Sequence, residues 1–122
     1  DPTNKSMYEC LSAKGEINEV GADDMYNPWY NVLVKEGTGT LQYQGKWNLF
    51  DQIIMTPNLL NKDGKKDFSE LKFWKNQIFR RDYLFQESGK YKGNTKRTTA
   101  GGVWLDGYSD HLPVVTYFAK QQ

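Results

Sequence analysis

A chain of 122 residues with net charge +1 and 25% charged residues has room for one domain with a core, although at this size only roughly two thirds of the unfolded surface is buried. The charge balance excludes a strong global field toward nucleic acid or an anionic membrane, so an anionic ligand must be held locally. The single cysteine, Cys10, excludes an internal disulfide and leaves no zinc set, and no apolar run approaches the ~18 residues of a membrane helix.

Taken in chain order, the first expected element is a short helix through about Ser12, capped by a side-chain oxygen of Asp1 or Thr3. Met7, Tyr8, Cys10 and Leu11 give it an apolar side, with Cys10 as a buried small hydrophobe, and Gly15 ends it. Asp1-Pro2-Thr3-Asn4-Lys5 lacks the shape of a signal peptide. A chain that opens on Asp rather than Met is expected to have been cut from a longer one. After the polar stretch 16–24, residues 26–35 hold Trp29, Tyr30, Val32, Leu33 and Val34 and read as a helix with Pro28 in its first turn, an extended segment being the alternative.

Leu41 to Lys46 and the run through Met55 read as a hairpin turning at Gln44-Gly45, its second strand buried and carrying Asp51 in its middle. A phosphate-cradling loop at Gly37-Thr38-Gly39-Thr40 is the weaker reading, for it lacks a Gly-Lys-Ser/Thr ending and a strand feeding a helix. Pro57 closes the strand and 61–67 is a solvated turn. Leu71 to Arg80 is expected as a strand with Phe73, Ile78 and Phe79 in the core. A short helical turn follows at 80–86, and then a long mobile segment from Ser88 to Gly107 whose length suggests binding. Leu112 to Lys120 is the last strand, with Pro113 tolerated at its start. The aromatic share of 15%, with eight Tyr and four Trp, reads as core filling, with a carbohydrate-binding or base-stacking surface as the functional alternative.

Chemistry concentrates in Gly107-Tyr108-Ser109-Asp110-His111-Leu112-Pro113-Val114, where the only histidine stands beside a carboxylate ahead of a hydrophobic strand. An imidazole exchanges protons at working pH, and an adjacent aspartate can bind a hard cation. A carboxylate in a buried strand is costly unless paired, so Asp51 needs a partner.

The phrase Gly45-Lys46-Trp47-Asn48-Leu49-Phe50-Asp51-Gln52-Ile53-Ile54, followed by Lys96-Arg97-Thr98, Gly101-Gly102 and Gly107 to His111 in that order, resembles the endonuclease/exonuclease/phosphatase superfamily, that of pancreatic deoxyribonuclease. Look-alikes that carry such a phrase are bacterial. The resemblance implies an α+β fold, the carboxy-terminal half of a four-layer α/β/β/α sandwich with mostly antiparallel strands. It implies a metal-dependent phosphoester hydrolase, a phosphodiesterase, nuclease or phosphatase. His111 takes the place of the catalytic histidine, Asp51 that of the carboxylate orienting it, and Asp110 that of a group at the metal or its water. Mg²⁺ or Mn²⁺ suits oxygen donors with retained waters. Lys96 and Arg97 stand where they could contact substrate phosphate, ordinary solvated charges being the other reading.

The family's Gly-Asp-x-Asn motif, an amino-terminal glutamate and a second histidine have no counterpart here. Asp1 to Ser6 resembles the stretch directly after Gly-Asp-Phe-Asn in relatives, so the chain is expected to start just past that motif, as the carboxy-terminal half of a site and inactive alone. Half a sandwich would leave an apolar sheet face open, which implies the missing amino-terminal half, or self-association, as partner. The substrate is a phosphate ester, small molecule or nucleic acid. The alternative function is a catalytically silent ligand- or nucleic-acid-binding module on the same fold. Relatives of this type are often exported by bacteria, which points to an exported or periplasmic protein.

Overall fold

The computed structural model describes residues 1–122. The fold is α+β, and its strands form four separate pairs. β1 (Ala13–Lys14) runs parallel to β2 (Met25–Tyr26). β3 (Leu41–Tyr43) and β4 (Lys46–Asn48) form the expected hairpin, turned by Gln44 and Gly45 at φ of 49° and 77°. Positive φ at both turn positions matches the right-handed twist of the strands it joins. β5 (Lys72–Ile78) lies antiparallel to β8 (Val114–Ala119), with an irregularity between Phe73 and Lys75. β6 (Thr99–Ala100) and β7 (Val103–Trp104) make a second hairpin inside the segment expected to be a long loop.

The one α-helix, α1 (Trp29–Val34), follows Pro28 as expected. Its β-branched and aromatic residues are indifferent helix formers. It starts because Asn27 Oδ1 accepts a hydrogen bond from the Trp29 amide at 3.0 Å, and it persists because Trp29 is fully buried. Residues 82–84 form the short helical turn expected there.

Three expectations are corrected. The first helix is a five-residue π-type turn, Ser6–Cys10, with no side-chain cap and no buried residue, and Cys10 is exposed. The carboxylate meant to cap it is engaged elsewhere: Asp1 Oδ1 accepts from the Leu49 amide at 2.7 Å. The strand expected to reach Met55 stops at Asn48, because side-chain oxygens, not a neighbouring strand, take the next amides. Asp51 is consequently half-exposed on an irregular segment rather than buried in a strand.

The core is small. Val20, Tyr26, Met55 and Leu60 form its centre, with Ile17, Leu59 and Phe73 against it. Val20 and Ile17 come from the stretch read as merely polar. The Tyr26–Met55 backbone pair, with N–H to O distances of 2.8 and 3.0 Å, ties the end of the irregular segment to this centre. Only 16 residues are buried, while Trp74, Val103, Trp104 and Phe118 on the strands remain exposed, so much of the aromatic enrichment does not fill this core.

Burial, helped by the Glu16 charge, pushes the Tyr26 phenol up from 10.0 to about 12. The folded state thereby favours the neutral phenol, so this contribution to stability is complete below the unfolded value and is lost as pH rises through the folded one. Tyr26→Phe should therefore retain stability between about pH 10 and about 12 that the parent loses. Urea midpoints across that window check it, and equal alkaline slopes would sink the idea.

Candidate active site

Two segments far apart in sequence meet at the site, and each is held by hydrogen bonds rather than by regular structure. Residues 49–52 continue from β4. The Leu49 amide is taken by Asp1, and the Phe50 amide by Thr40 Oγ1 at 3.2 Å. Gln52 is fixed from two sides: its Oε1 accepts from Asn27 Nδ2 at 2.7 Å, and its Nε2 donates to the Leu49 carbonyl at 3.0 Å. Fully buried Leu49 pins the segment and leaves Asp51 facing outward.

Residues 107–112 lead into β8. Gly107 packs so closely on the preceding loop that a Cβ would stand 1.8 Å from the Lys96 carbonyl oxygen; no other residue fits. Thr98 Oγ1 donates to the Gly107 carbonyl at 3.0 Å, and Thr95 Oγ1 to that of Asp110 at 2.7 Å. Ser109 Oγ accepts from the His111 amide at 3.0 Å. Leu112 is buried and anchors the end. The Ser-Asp-His phrase is thus a built turn: the serine fixes the histidine backbone, and the leucine after it supplies the anchor.

These two frames bring His111 Nδ1 to 2.7 Å from Asp51 Oδ2. The partner of Asp51 is therefore His111, although the partial exposure of Asp51 removes the burial cost that was expected to demand one. A carboxylate accepts, so Nδ1 carries the proton and, in the neutral ring, Nε2 is the acceptor. Both side chains are a little over one third exposed, and the Phe50 ring lies 6.1 Å from the imidazole, centroid to centroid. The pair is therefore partly accessible to solvent.

Asp110 forms an ion pair with Arg97, Nη2 to Oδ2 at 3.2 Å. With both side chains near half exposure, such a pair contributes at most about 1 kcal/mol and opens readily. Arg97, Thr98, Thr99, Tyr108, Ser109 and Asp110 line an open depression of about 340 Å³. Lys96 lines a separate one with Tyr83, Phe85 and Gln86, so the adjacent cations Lys96 and Arg97 serve different surfaces. Behind the site, Arg80 stacks on Trp47 at 4.9 Å and donates to the Thr38 hydroxyl. Burial pushes its guanidinium down from the usual value.

Nowhere do three or more His, Cys, Asp or Glu side chains gather closely enough to hold a metal ion. The donor set of this chain, essentially Asp110 already engaged by Arg97, does not by itself fit a Mg²⁺ or Mn²⁺ centre, which surrounds the ion with oxygens in near-octahedral array.

The site thus combines an imidazole held by a carboxylate with an open depression that Arg97 lines. The sequence model of the Endonuclease/Exonuclease/phosphatase family matches residues 1–120, and the chain belongs to this family. Comparison with curated proteins and with solved structures finds no match.

Sequence reasoning missed Thr40, Thr95 and Asn27, the buried polar residues that hold the two segments. Only Gly39-Thr40, set aside as a phosphate loop, carried a visible signal.

Proposed function

We propose that this chain carries the proton-handling part of a phosphoester hydrolase. The observation that supports it is the 2.7 Å approach of His111 Nδ1 to Asp51 Oδ2. Asp51 holds the imidazole in the tautomer whose Nε2 can take a proton from an attacking water, and it stabilises the imidazolium that results. Arg97, released from Asp110, offers two parallel N–H donors to a phosphoryl group, which a lysine cannot do. Asp110, once freed, is the acidic oxygen nearest that phosphate.

A divalent cation of the Mg²⁺ or Mn²⁺ kind would supply charge neutralisation at such a phosphate. On this reading its remaining ligands come from sequence preceding these residues, and the chain is the carboxy-terminal portion of a larger sandwich. The two-stranded sheets and the uncovered Trp74, Val103, Trp104 and Phe118 side chains support that view, since a preceding half would cover such surface. Self-association would serve the same physical need. No helix is long and apolar enough to cross a membrane.

The test is hydrolysis of a nitrophenyl phosphodiester and a nitrophenyl phosphomonoester, with Mg²⁺ or Mn²⁺, by this chain and by one extended upstream through its native coding sequence. Activity confined to the extended chain is the expected result. Hydrolysis by neither would leave the binding module as the better reading of the same fold.

A further inference from the structure

We propose that Thr40 is the positioning residue of the His111–Asp51 pair, a role that rests on the hydrolytic reading only for its consequence in catalysis. Thr40 has no exposed surface, and its polar groups reach both halves of the site. Its Oγ1 accepts from the amide of Phe50, next to Asp51, at 3.2 Å, and lies 3.5 Å from the amide of Asp51 itself. Its carbonyl accepts from the amide of Leu112, next to His111, at 2.7 Å. Its own amide donates to the Asn48 carbonyl at 2.8 Å, which fixes Thr40 to the end of β4.

One residue thus sets the distance between two segments that share no sheet. The surroundings make this setting rigid. Leu49 and Leu112 on either side are fully buried, so the chain flanking Thr40's two contacts is anchored in place. Gly39 allows the approach, because a Cβ there would stand 2.2 Å from the Asn48 carbonyl oxygen. Arg80 reaches the Thr38 hydroxyl and lies 3.4 Å from the Gly39 carbonyl, bracing the same stretch from behind. The Thr38-Gly39-Thr40 phrase is therefore a brace for the imidazole pair. Thr40 makes no hydrogen bond to the ring or the carboxylate of the pair; it acts through the backbone beside each.

Thr40→Val keeps the shape and removes the acceptor, whereas Thr40→Ser keeps the acceptor. His111 is the only histidine, so ¹⁵N and ¹H spectra of its ring need no assignment. The wild-type chain should show one tautomer, protonated at Nδ1. Thr40→Val should lose that preference and show the mixed ring signal of a free imidazole, and Thr40→Ser should restore it. In the upstream-extended chain, Thr40→Val should lower kcat on the nitrophenyl diester by roughly 10- to 100-fold with KM within about twofold, since an oriented group acts in the reaction step and not in binding. A wild-type ring signal in Thr40→Val overturns the inference, whatever the activity. A changed ring signal with no hydrolysis by any extended chain upholds Thr40 and sinks the hydrolytic reading alone. Should Thr40→Val fail to fold, amide exchange in the unmodified chain decides: Phe50 and Leu112 exchange slowly if Thr40 holds them, and exchange at loop rates at either one overturns the proposal.

Discussion

His111→Ala in the upstream-extended chain is expected to lower kcat by about 10²–10⁴-fold, the range over which a positioned proton-transfer group contributes. At 1.36 kcal/mol per tenfold, that is about 3–5 kcal/mol of transition-state stabilisation. KM should change little, because on the proposed reading the contact with phosphate falls to Arg97. The fold should survive, since the imidazole is partly exposed and its segment is anchored by Leu112 and the Ser109 hydroxyl. Asp51→Asn should approach the same loss. Its amide can donate to Nδ1, which turns the tautomer round and leaves Nε2 protonated and unable to accept. Steady-state kinetics with circular dichroism as the control settle the matter. Retention of more than about a tenth of kcat by His111→Ala would remove the imidazole from the reaction.

Trp29→Ala should cost about 3–5 kcal/mol of unfolding free energy, the range for emptying a buried aromatic site. For a domain whose total stability is of order 5–15 kcal/mol, that approaches unfolding. Trp29 is fully buried at the start of α1, and few other large side chains share its degree of burial. Its ring also carries a buried Nε1–H with no partner, an unsatisfied donor whose desolvation costs about 1–3 kcal/mol. Trp29→Phe removes that penalty with the donor and gives up only part of the ring volume, so its net cost should be far smaller than that of alanine. Urea unfolding of the three proteins tests the pair of expectations. Equal losses for Phe and Ala would mean that the indole nitrogen is satisfied in solution.

The elements that the sequence made legible are those with local causes. The β3–β4 hairpin has a turn dipeptide able to take positive φ twice, α1 has Pro28 at its entrance, and β5 and β8 have β-branched and aromatic runs. The contact of Asp51 with His111 was legible through the family resemblance alone, since the burial that was to demand a counterpart for Asp51 is absent. The segment around Asp51 was misread because apolar composition does not reveal that Asp1 and Thr40, distant in sequence, take its amides. Cys10 was misplaced for a related reason: the capping carboxylate that would have built a longer helix serves Leu49 instead. The β6–β7 hairpin escaped notice because its strands are two residues each, too short for alternation to register.

His111 and Asp51 are separated by 60 positions along the chain, whereas the β3–β4 turn spans only Gln44 and Gly45. Closing the larger loop carries about 3 kcal/mol more chain entropy than closing the turn, on logarithmic scaling with length. Hairpins of this kind form within microseconds on their own. The imidazole and its carboxylate instead meet only once distant parts of the chain have come together, so the pair is expected to form later in folding than the hairpin.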